Sequence, residues 1–227
     1  MAVKGKRVVI TGANGRLGRM LVHRFATEGA RVVAVVRRPE VVSTLPFPSG
    51  AEGWAYPFDV TREAEVVAGF RQIREDLGGM DVLIHTVGTW AGQPFLETSY
   101  ADWTSLFETN LHSTFLCFRE ALRIMQGPEG RLIAFASRQG ALRGAAQQAA
   151  YSAAKAGVIR LVEALAAELG RDGPTVHAIA PSLILYPGME EQHGVRAEDL
   201  VEACLYLCSP TGRAHHGGTL PAYGSVA

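Results

Sequence analysis

A glycine-rich turn between a short strand and a helix constrains the fold of this chain more than any other segment. Residues Arg7–Thr11 (RVVIT) predict a β-strand, and the amphipathic segment Leu17–Thr27 predicts a helix. A second β-branched segment, Arg31–Val36, predicts another strand. A strand, a helix and a strand in this order form a βαβ unit, whose strands lie parallel. The start of the chain therefore predicts an α/β protein.

The turn itself, TGANGRLG, contains the glycines Gly12, Gly15 and Gly18. Glycine permits positive φ, leaves room for a ligand and lets the helix approach the strand closely. The helix that follows presents the free amides of its N-terminus to an anion. An ordinary tight turn is the alternative, but the strand before it and the helix after it favour a site for the pyrophosphate of a dinucleotide.

Two arginines, Arg37 and Arg38, follow the second strand at a place where the residue type discriminates between dinucleotides. An acidic side chain there binds the adenosine ribose hydroxyls, whereas a guanidinium pairs with a 2′-phosphate. Arg37, together with Arg38 and with Arg16 of the glycine turn, therefore favours NADP(H) over NAD(H) as the cofactor. The alternative is that these arginines are solvated surface residues.

Strands and helices alternate along the rest of the chain, and no internal repeat is present. Further strands are predicted at Trp54–Phe58, Met80–Thr86, Arg131–Ala136, Thr175–Ala180 and Gly218–Tyr223. Further helices are predicted at Thr61–Leu77, Thr98–Met125, Tyr151–Leu169 and Ala197–Leu207. The first of these is expected to be capped by Thr61 or Asp59, and the second to kink near Ala101–Trp103. This order predicts one domain over residues 1–227, a three-layer, doubly wound parallel sheet of six to seven strands.

The charge balance bounds the class of partner. Lysine plus arginine and aspartate plus glutamate each number 22, so the formal net charge is zero. Such a chain has no overall field that attracts nucleic acid or an anionic membrane, and it contains no apolar segment of about 18 residues that could span a bilayer. We therefore expect a soluble, cytoplasmic protein that binds a small molecule, with no nucleic acid and no membrane as partner.

The three cysteines, Cys117, Cys204 and Cys208, are odd in number, which argues against a disulfide framework. Cys204 and Cys208 stand four residues apart, but no histidine or carboxylate joins them at the spacing of metal ligands. We expect three small buried side chains and no metal site. Structural positions are also expected for His85, His112, His215 and His216.

Tyr151 and Lys155 stand four residues apart in a predicted helix and therefore share one of its faces. The pKa of a phenol is ordinarily ~10, and a nearby cation lowers it. Tyr151 could then donate or accept a proton near neutral pH. Taken alone, a pair of this kind more often only packs and contacts solvent.

The ordered set of motifs resembles the short-chain dehydrogenase/reductase family over essentially the whole chain. The glycine turn TGANGRLG, the Asp59-Val60 pair, the Asn110 helix, Ser137 after GRLIAFA, YSAAK and HAIAPS stand in the family's order and spacing. The resemblance implies a Rossmann fold and an oxidoreductase that uses NAD(P)(H).

The resemblance also implies a catalytic tetrad of Asn110, Ser137, Tyr151 and Lys155. Tyr151 would exchange a proton with the substrate oxygen, and Ser137 would hydrogen-bond that oxygen. Lys155 would hold the nicotinamide ribose and lower the pKa of Tyr151, while Asn110 would steady a water chain that resupplies protons.

The cofactor contacts implied by the resemblance fall along the same edge of the sheet. They are Gly12, Asn14, Gly15, Arg16, Leu17 and Gly18 at the pyrophosphate, Arg37 and Arg38 at the ribose phosphate, Asp59 and Val60 at the adenine, Thr86, Val87 and Gly88 beneath the adenosine ribose, and Pro181, Ser182, Leu183 and Ile184 near the nicotinamide, besides Tyr151 and Lys155.

The chain departs from the family pattern in three places, one at the central strands and two beside the substrate lid. His85 begins an HTVG segment where the family often has Asn-Asn-Ala-Gly, Ser182 replaces the usual glycine after Pro181, and Tyr186 stands where a threonine often contacts the carboxamide. The substrate lid around 182–194 is short, which predicts an open pocket or one completed by a neighbouring subunit. Candidate wall residues, by position only, are Trp90, Arg138, Gln139, Arg143, Gln147, Gln148, Tyr186 and His193.

The sequence leaves three functions open. The first is NADPH-dependent reduction of a small carbonyl-type compound with Tyr151 as proton donor. The second is an NAD-linked alcohol dehydrogenase of the same family, and the third is a non-catalytic protein that senses NADP. The resemblance further implies a homo-oligomer, a dimer or a tetramer, assembled through the Asn110 and Tyr151 helices.

Overall fold

A computed structural model describes residues 2–189 and 192–225. Within these residues the strands are β1 Arg7–Thr11, β2 Arg31–Val36, β3 Gly53–Pro57, β4 Val82–His85, β5 Arg131–Phe135, β6 Thr175–Pro181, β7 Ile184–Leu185, β8 Val195–Arg196 and β9 Thr219–Ala222. The helices are α1 Arg16–Thr27, α2 Glu63–Leu77, α3 Tyr100–Phe107, α4 Ser113–Ile124, α5 Arg138–Ala141, α6 Ala149–Leu169 and α7 Ala197–Leu207. Short 3-10 helices lie at Pro39–Thr44, Phe95–Glu97 and Thr211–His215, and a π turn at Glu108–His112 joins α3 to α4.

Seven strands form one sheet in the order β3-β2-β1-β4-β5-β6-β9, and every neighbouring pair is parallel. The strand order reverses between β1 and β4, where Thr11 lies between Val35 of β2 and His85 of β4. In a parallel sheet such a reversal opens a crevice at the carboxyl ends of the strands. The predicted doubly wound sheet of six to seven strands is confirmed.

Two apolar cores cover the two faces of the sheet, because successive side chains of a strand point to opposite faces. Val8 and Ile10 of β1 pack with α1 and α7, whereas Val9 packs with α2, α4 and α6. Helices on both faces explain why the strands are apolar almost throughout rather than alternating. The three-layer prediction is therefore confirmed as well.

Element bounds were predicted best where the apolar pattern is continuous. The bounds of β1, β2 and α7 are those predicted, but the predicted kink near Ala101–Trp103 is wrong, because the irregular turn is the π turn at Glu108–His112. The predicted helix cap at Thr61 is also wrong. α2 has Arg62 as its N-cap, without a side-chain hydrogen bond, and Asp59 Oδ1 instead accepts hydrogen bonds from Thr61 N and Thr61 Oγ1 at 2.9 and 2.8 Å.

The cysteines are free and buried, as predicted. In the described part of the chain no cluster of three or more histidine, cysteine or acidic side chains is arranged to hold a metal ion. None of the described helices is long and apolar enough to cross a bilayer. The predicted lid over 182–194 and the predicted domain over 1–227 both include residues outside the described set, namely 190 and 191 for the lid and also 1, 226 and 227 for the domain.

Candidate active site

A cavity of about 820 Å³ lies at the carboxyl ends of the central strands. Each predicted catalytic and cofactor residue lines it, including the glycine turn, the arginines after β2 and the four residues of the tetrad. Residues that were not predicted also line it: Val35, Val36, Phe58, Thr61, Thr89, Thr109, Phe135 and Ala136. Most of these are neighbours in sequence of predicted residues at strand ends, which is the signal that could have identified them.

The predicted wall residues divide between two cavities. Trp90, Gln139 and Tyr186 line the large cavity, whereas Gln147 and Gln148 line a smaller one of about 160 Å³ beside it. The remaining candidates, Arg138, Arg143 and His193, line neither of the two.

Tyr151 and Ser137 face each other at the floor of the cavity. Ser137 follows β5 and is the N-cap of α5, where its Oγ accepts a hydrogen bond from Gly140 N at 3.2 Å. Burial raises the pKa of Tyr151 above its ordinary value, and the hydrogen bond with Ser137 opposes this shift. The prediction of a lowered pKa for Tyr151 is therefore wrong for this state. The phenol of Tyr151 is therefore a neutral group near pH 7.

Lys155 lies one helical turn after Tyr151 in α6 and is 4% exposed. Its Nζ donates a hydrogen bond to the carbonyl oxygen of Phe135 at 2.7 Å, at the end of β5. Burial lowers the pKa of the Lys155 ammonium to about 8. The ammonium of Lys155 is thus held beside the carboxyl end of β5 by a backbone carbonyl. A ribose hydroxyl that binds there would accept a strong hydrogen bond from it.

Asn110 is fully buried in the π turn, and its side-chain amide hydrogen-bonds the backbone of the loop after β4. Its Nδ2 donates to Thr89 O at 2.9 Å and to Leu106 O at 3.0 Å, and its Oδ1 accepts from Thr89 N at 3.1 Å. π turns of this kind are often found at functional sites. The contacts show that the side chain of Asn110 fixes the backbone of the loop over the cavity.

Two of the predicted tetrad residues contact the backbone at Gly88. A Cβ atom at this position would lie 2.8 Å from Asn110 Oδ1 and 3.0 Å from Lys155 Nζ. The absence of a side chain therefore lets the amide and the ammonium approach the same stretch of backbone.

A chain of hydrogen bonds behind the tetrad anchors the π turn to the sheet. Ser113 Oγ donates to Thr109 O at 2.6 Å, so its single proton is used. His85 Nε2, 3.0 Å from Ser113 Oγ, must then be the donor to it, and His85 Nδ1 accepts from Thr11 Oγ1 at 2.8 Å. Burial lowers the pKa of His85 to about 3, and the charge of Lys155 adds to this effect. His85 is thus a neutral structural group, as expected from the sequence.

The glycine turn has the geometry of a phosphate site. Gly12 adopts a φ of 69°, and a Cβ there would lie 2.7 Å from Thr86 Oγ1. α1 begins after Gly15 without a side-chain cap and with no acidic residue in its first turn. Because the first amides of a helix lack internal partners, they are available to an anion such as a pyrophosphate.

The three arginines predicted to contact the cofactor occupy different surroundings. Arg37 is exposed, and no carboxylate of the described residues pairs with it, whereas Arg38 lies 3.5 Å from Glu40. The guanidinium of Arg16 stacks on the ring of Tyr186, 3.8 Å from its centroid. All three arginines line the large cavity, and a role of Arg16 beside Arg37 stays a prediction.

Comparison with known proteins gives consistent matches. The family model described as short chain dehydrogenase matches residues 6–195. The 3-oxoacyl-(acyl-carrier-protein) reductase FabG of Vibrio cholerae is 31% identical over 185 residues, covering 81% of this chain and 75% of that protein. The (2S)-((R)-hydroxy(phenyl)methyl)succinyl-CoA dehydrogenase subunit BbsD of Thauera aromatica is 34% identical over 195 residues, covering 84% and 78%.

Solved structures match over nearly the whole chain. A dehydrogenase/reductase from Sinorhizobium meliloti has a TM-score of 0.88 and 28% identity, covering 98% of this chain and 95% of the other. A variant of the actinorhodin polyketide ketoreductase with NADPH has a TM-score of 0.87 and 26% identity, covering 97% and 96%. The names of these four proteins all describe a dehydrogenase, a reductase or a ketoreductase.

Proposed function

Because this chain belongs to the short-chain dehydrogenase/reductase family and is thus an oxidoreductase, we propose that it reduces a small carbonyl compound with NADPH. The observation that carries this proposal is the position of Tyr151 beside Ser137 in the large cavity, with Lys155 one helical turn further along α6. A phenol at this position can donate a proton to the alkoxide that develops when hydride adds to a carbonyl carbon.

The chain's own residues would act as follows. NADPH, when bound, supplies the hydride that adds to the carbonyl carbon. Ser137 and Tyr151 hold the carbonyl oxygen by hydrogen bonds, which orients the carbon and disperses the charge that develops on the oxygen. Tyr151 transfers its phenolic proton to that oxygen. Lys155 donates to the ribose and stabilises the phenolate that remains.

The cofactor preference rests on Arg37. Its exposed guanidinium lies on the rim of the large cavity, at the end of β2. A 2′-phosphate there would receive a bidentate, charge-assisted pair, which NAD(H) lacks. The actinorhodin ketoreductase structure, which contains NADPH, supports the same preference by similarity.

The test compares Tyr151→Phe with the wild-type protein in a panel of small carbonyl compounds and NADPH. Tyr151→Phe should lower kcat by at least about 100-fold and leave NADPH binding intact, because it removes only the proton donor. Tyr206→Phe is the matched control, since its hydroxyl contacts His215 Nε2 at 3.0 Å and does not line the cavity. Unchanged turnover in Tyr151→Phe would refute the mechanism.

Two further outcomes separate the alternatives. Faster turnover of alcohols with NAD than of carbonyls with NADPH would favour an NAD-linked alcohol dehydrogenase. NADP binding without turnover of any compound, accompanied by recruitment of a partner protein only when NADP is present, would favour a sensing protein.

We also infer a homo-oligomer and a single domain over 1–227. The Asn110 helix, which comprises α3, the π turn and α4, and the Tyr151 helix α6 would form the contact between subunits. Phe115 of α4 supports this, because the residue is 46% exposed with the guanidinium of Arg119 5.3 Å from its ring centroid. Sedimentation equilibrium of wild type and Phe115→Asp tests the contact: the variant should shift toward monomer, and an unchanged mass would place the interface elsewhere.

A further inference from the structure

Two exposed apolar side chains, Trp90 and Leu183, lie on either side of the strand that leads to Ser137. Trp90 lies in the loop after β4 and Leu183 follows β6, and the sheet places β5 between these two strands. Both side chains line the large cavity, and the two residues are 61% and 50% exposed. A ketone whose oxygen lies at Ser137 can therefore direct one of its two carbon substituents toward each apolar side chain.

The loop that carries Trp90 is fixed on both sides of this residue. Asn110 binds the N–H and the carbonyl oxygen of Thr89 at 3.1 and 2.9 Å. Gln93 N donates to Gln147 O at 2.8 Å, which ties the loop to the segment before α6. The backbone hydrogen bonds of its neighbours thus hold Trp90 in position, although the residue is largely exposed.

Leu183 also lies on a fixed backbone. Its carbonyl oxygen accepts a hydrogen bond from Val195 N at 2.9 Å, and Ser182 N donates to Ala222 O at 3.1 Å. An apolar ligand that covers such side chains removes their surface from water, which is favourable. Fixed and exposed apolar side chains on the wall of a cavity are typical of a surface that binds a ligand.

The charges of the cavity fall on residues that were predicted to contact the cofactor. Among the described residues that line it, the charged ones are Arg16, Arg37, Arg38, Asp59 and Lys155. Thr89, Gln139 and Ile184, which line the cavity after β4, β5 and β6, are uncharged. A carboxylate or phosphate of the substrate would lie there without a cation of its own, and its desolvation would oppose binding.

We propose that Trp90 and Leu183 determine the specificity of the site and that the substrate is an uncharged ketone with an aromatic ring beside its carbonyl group. The ring packs on the indole of Trp90, because flat aromatic groups stack well on each other, and the smaller substituent contacts Leu183. The reaction is that of the proposed function, in which NADPH gives a hydride to the carbonyl carbon and Tyr151 gives a proton to the oxygen. The inference therefore rests on the proposed function and names its substrate class.

Steady-state reduction with NADPH compares three ketones. Acetophenone has the aromatic ring, butan-2-one lacks it, and 4-acetylbenzoate adds a carboxylate to the ring. In the wild-type protein kcat/KM for acetophenone should exceed the value for each of the other two by at least about tenfold, because one loses apolar contact and the other brings an unpaired charge.

Variants assign this preference to the two side chains. Trp90→Ala should lower kcat/KM for acetophenone about 10- to 50-fold, mainly by raising KM, and change butan-2-one reduction and NADPH binding little. Trp90→Phe keeps an aromatic face and should retain most of the efficiency. Leu183→Ala should lose about three- to tenfold. Val67→Ala, which shortens an exposed aliphatic side chain of α2 that lines neither cavity, is the control and should behave as wild type. Thermal melting verifies that each variant folds.

The results that overturn the inference differ from those that refute the proposed function. A kcat/KM for acetophenone no higher than those of the other two ketones, or an unchanged value in Trp90→Ala, would overturn the inference while reduction by NADPH stands. Equal losses for acetophenone and butan-2-one in Trp90→Ala would show a structural role alone and would overturn it as well. If NADPH reduces none of these ketones and no compound of the wider carbonyl panel, the proposed function fails and the inference fails with it.

Discussion

The ammonium of Lys155 is buried and donates to the carbonyl oxygen of Phe135 at 2.7 Å, so α6 is tied to the end of β5 through a charged group. A backbone carbonyl compensates only part of the hydration that a buried ammonium loses. The pKa of Lys155 falls accordingly, to about 8 from the ordinary 10.5. The candidate active site therefore includes a group whose charge lowers the stability of the fold.

The first prediction concerns how the loss of stability caused by the buried charge of Lys155 depends on pH. Between pH 8 and 10.5 the unfolded chain holds a proton on Lys155 that the folded chain does not, so stability rises with pH in this window. Below pH 8 Lys155 is charged in both states, and the full cost of burying its charge lowers the stability. Lys155→Met should therefore be more stable than wild type at pH 7, by about 1–3 kcal/mol, and inactive.

Denaturant unfolding at several pH values checks this prediction. The difference in free energy of unfolding between Lys155→Met and wild type should shrink as the pH approaches 10.5, because the wild-type lysine is then neutral in both states. A variant that is less stable than wild type at every pH would show that the hydrogen bond to Phe135 outweighs the desolvation.

The second prediction concerns His85. Its pKa is lowered to about 3, and that of the buried His177 to about 4, from the ordinary 6.5. The unfolded chain binds protons at both positions as the pH falls from 6.5 toward 4, so stability is lost in this window at ~1.4 kcal/mol per pH unit for each histidine. His85→Asn should lose about half of this slope.

Urea unfolding between pH 6.5 and 4 measures the slope. Asparagine keeps a donor and an acceptor and is the residue that family members often have at this position, so the variant should fold. His23→Asn, at an exposed position, is the control and should keep the wild-type slope. An unchanged slope in His85→Asn would mean that His85 is protonated in the folded protein.

The π turn shows where prediction from sequence ends. The strands β1 and β2 were predicted to the residue because their β-branched runs are buried on both faces. The turn at Glu108–His112 depends on partners distant in sequence, since Asn110 binds the loop at Thr89 and Ser113 binds His85. No local pattern encodes such contacts.

The raised pKa of Tyr151 escaped prediction for a similar reason. Helical spacing indicated the proximity of Lys155, and the predicted consequence was a lowered pKa. Burial, which depends on the whole fold, acts in the opposite direction and is the larger effect. The stacking of Arg16 on Tyr186 could not be predicted for the same reason. It brings together residues that are far apart in sequence, and Met189, which Arg16 also contacts, lies 173 residues after it.

The third prediction uses the lack of space at Gly88. In Gly88→Ala the new methyl group would lie 2.8 Å from Asn110 Oδ1 and 3.0 Å from Lys155 Nζ, and one of them must move. Since φ at Gly88 is not positive, backbone strain does not contribute. We expect kcat to fall at least about tenfold, because displaced catalytic groups lose their orientation.

Gly144→Ala is the matched control for that substitution. Its Cβ would make an ordinary contact of 3.8 Å with Ser152, and its φ is not positive either. Steady-state assays and thermal unfolding of both variants separate geometry from stability. Equal activity of Gly88→Ala and wild type would show that Lys155 and Asn110 tolerate displacement.

The fourth prediction concerns the choice of cofactor. Arg37→Ala should weaken NADPH binding about 10- to 100-fold, the range of a charge-assisted bidentate pair, and leave NADH binding nearly unchanged. Arg38→Ala should have a smaller effect, because Arg38 already lies 3.5 Å from Glu40 and its release disturbs that pair. Fluorescence titration gives, for NADPH and for NADH, the ratio of the dissociation constants of variant and wild type. Equal losses for NADPH and NADH in Arg37→Ala would mean that the guanidinium contacts a group common to both, and the preference for NADPH would then have no basis at this position.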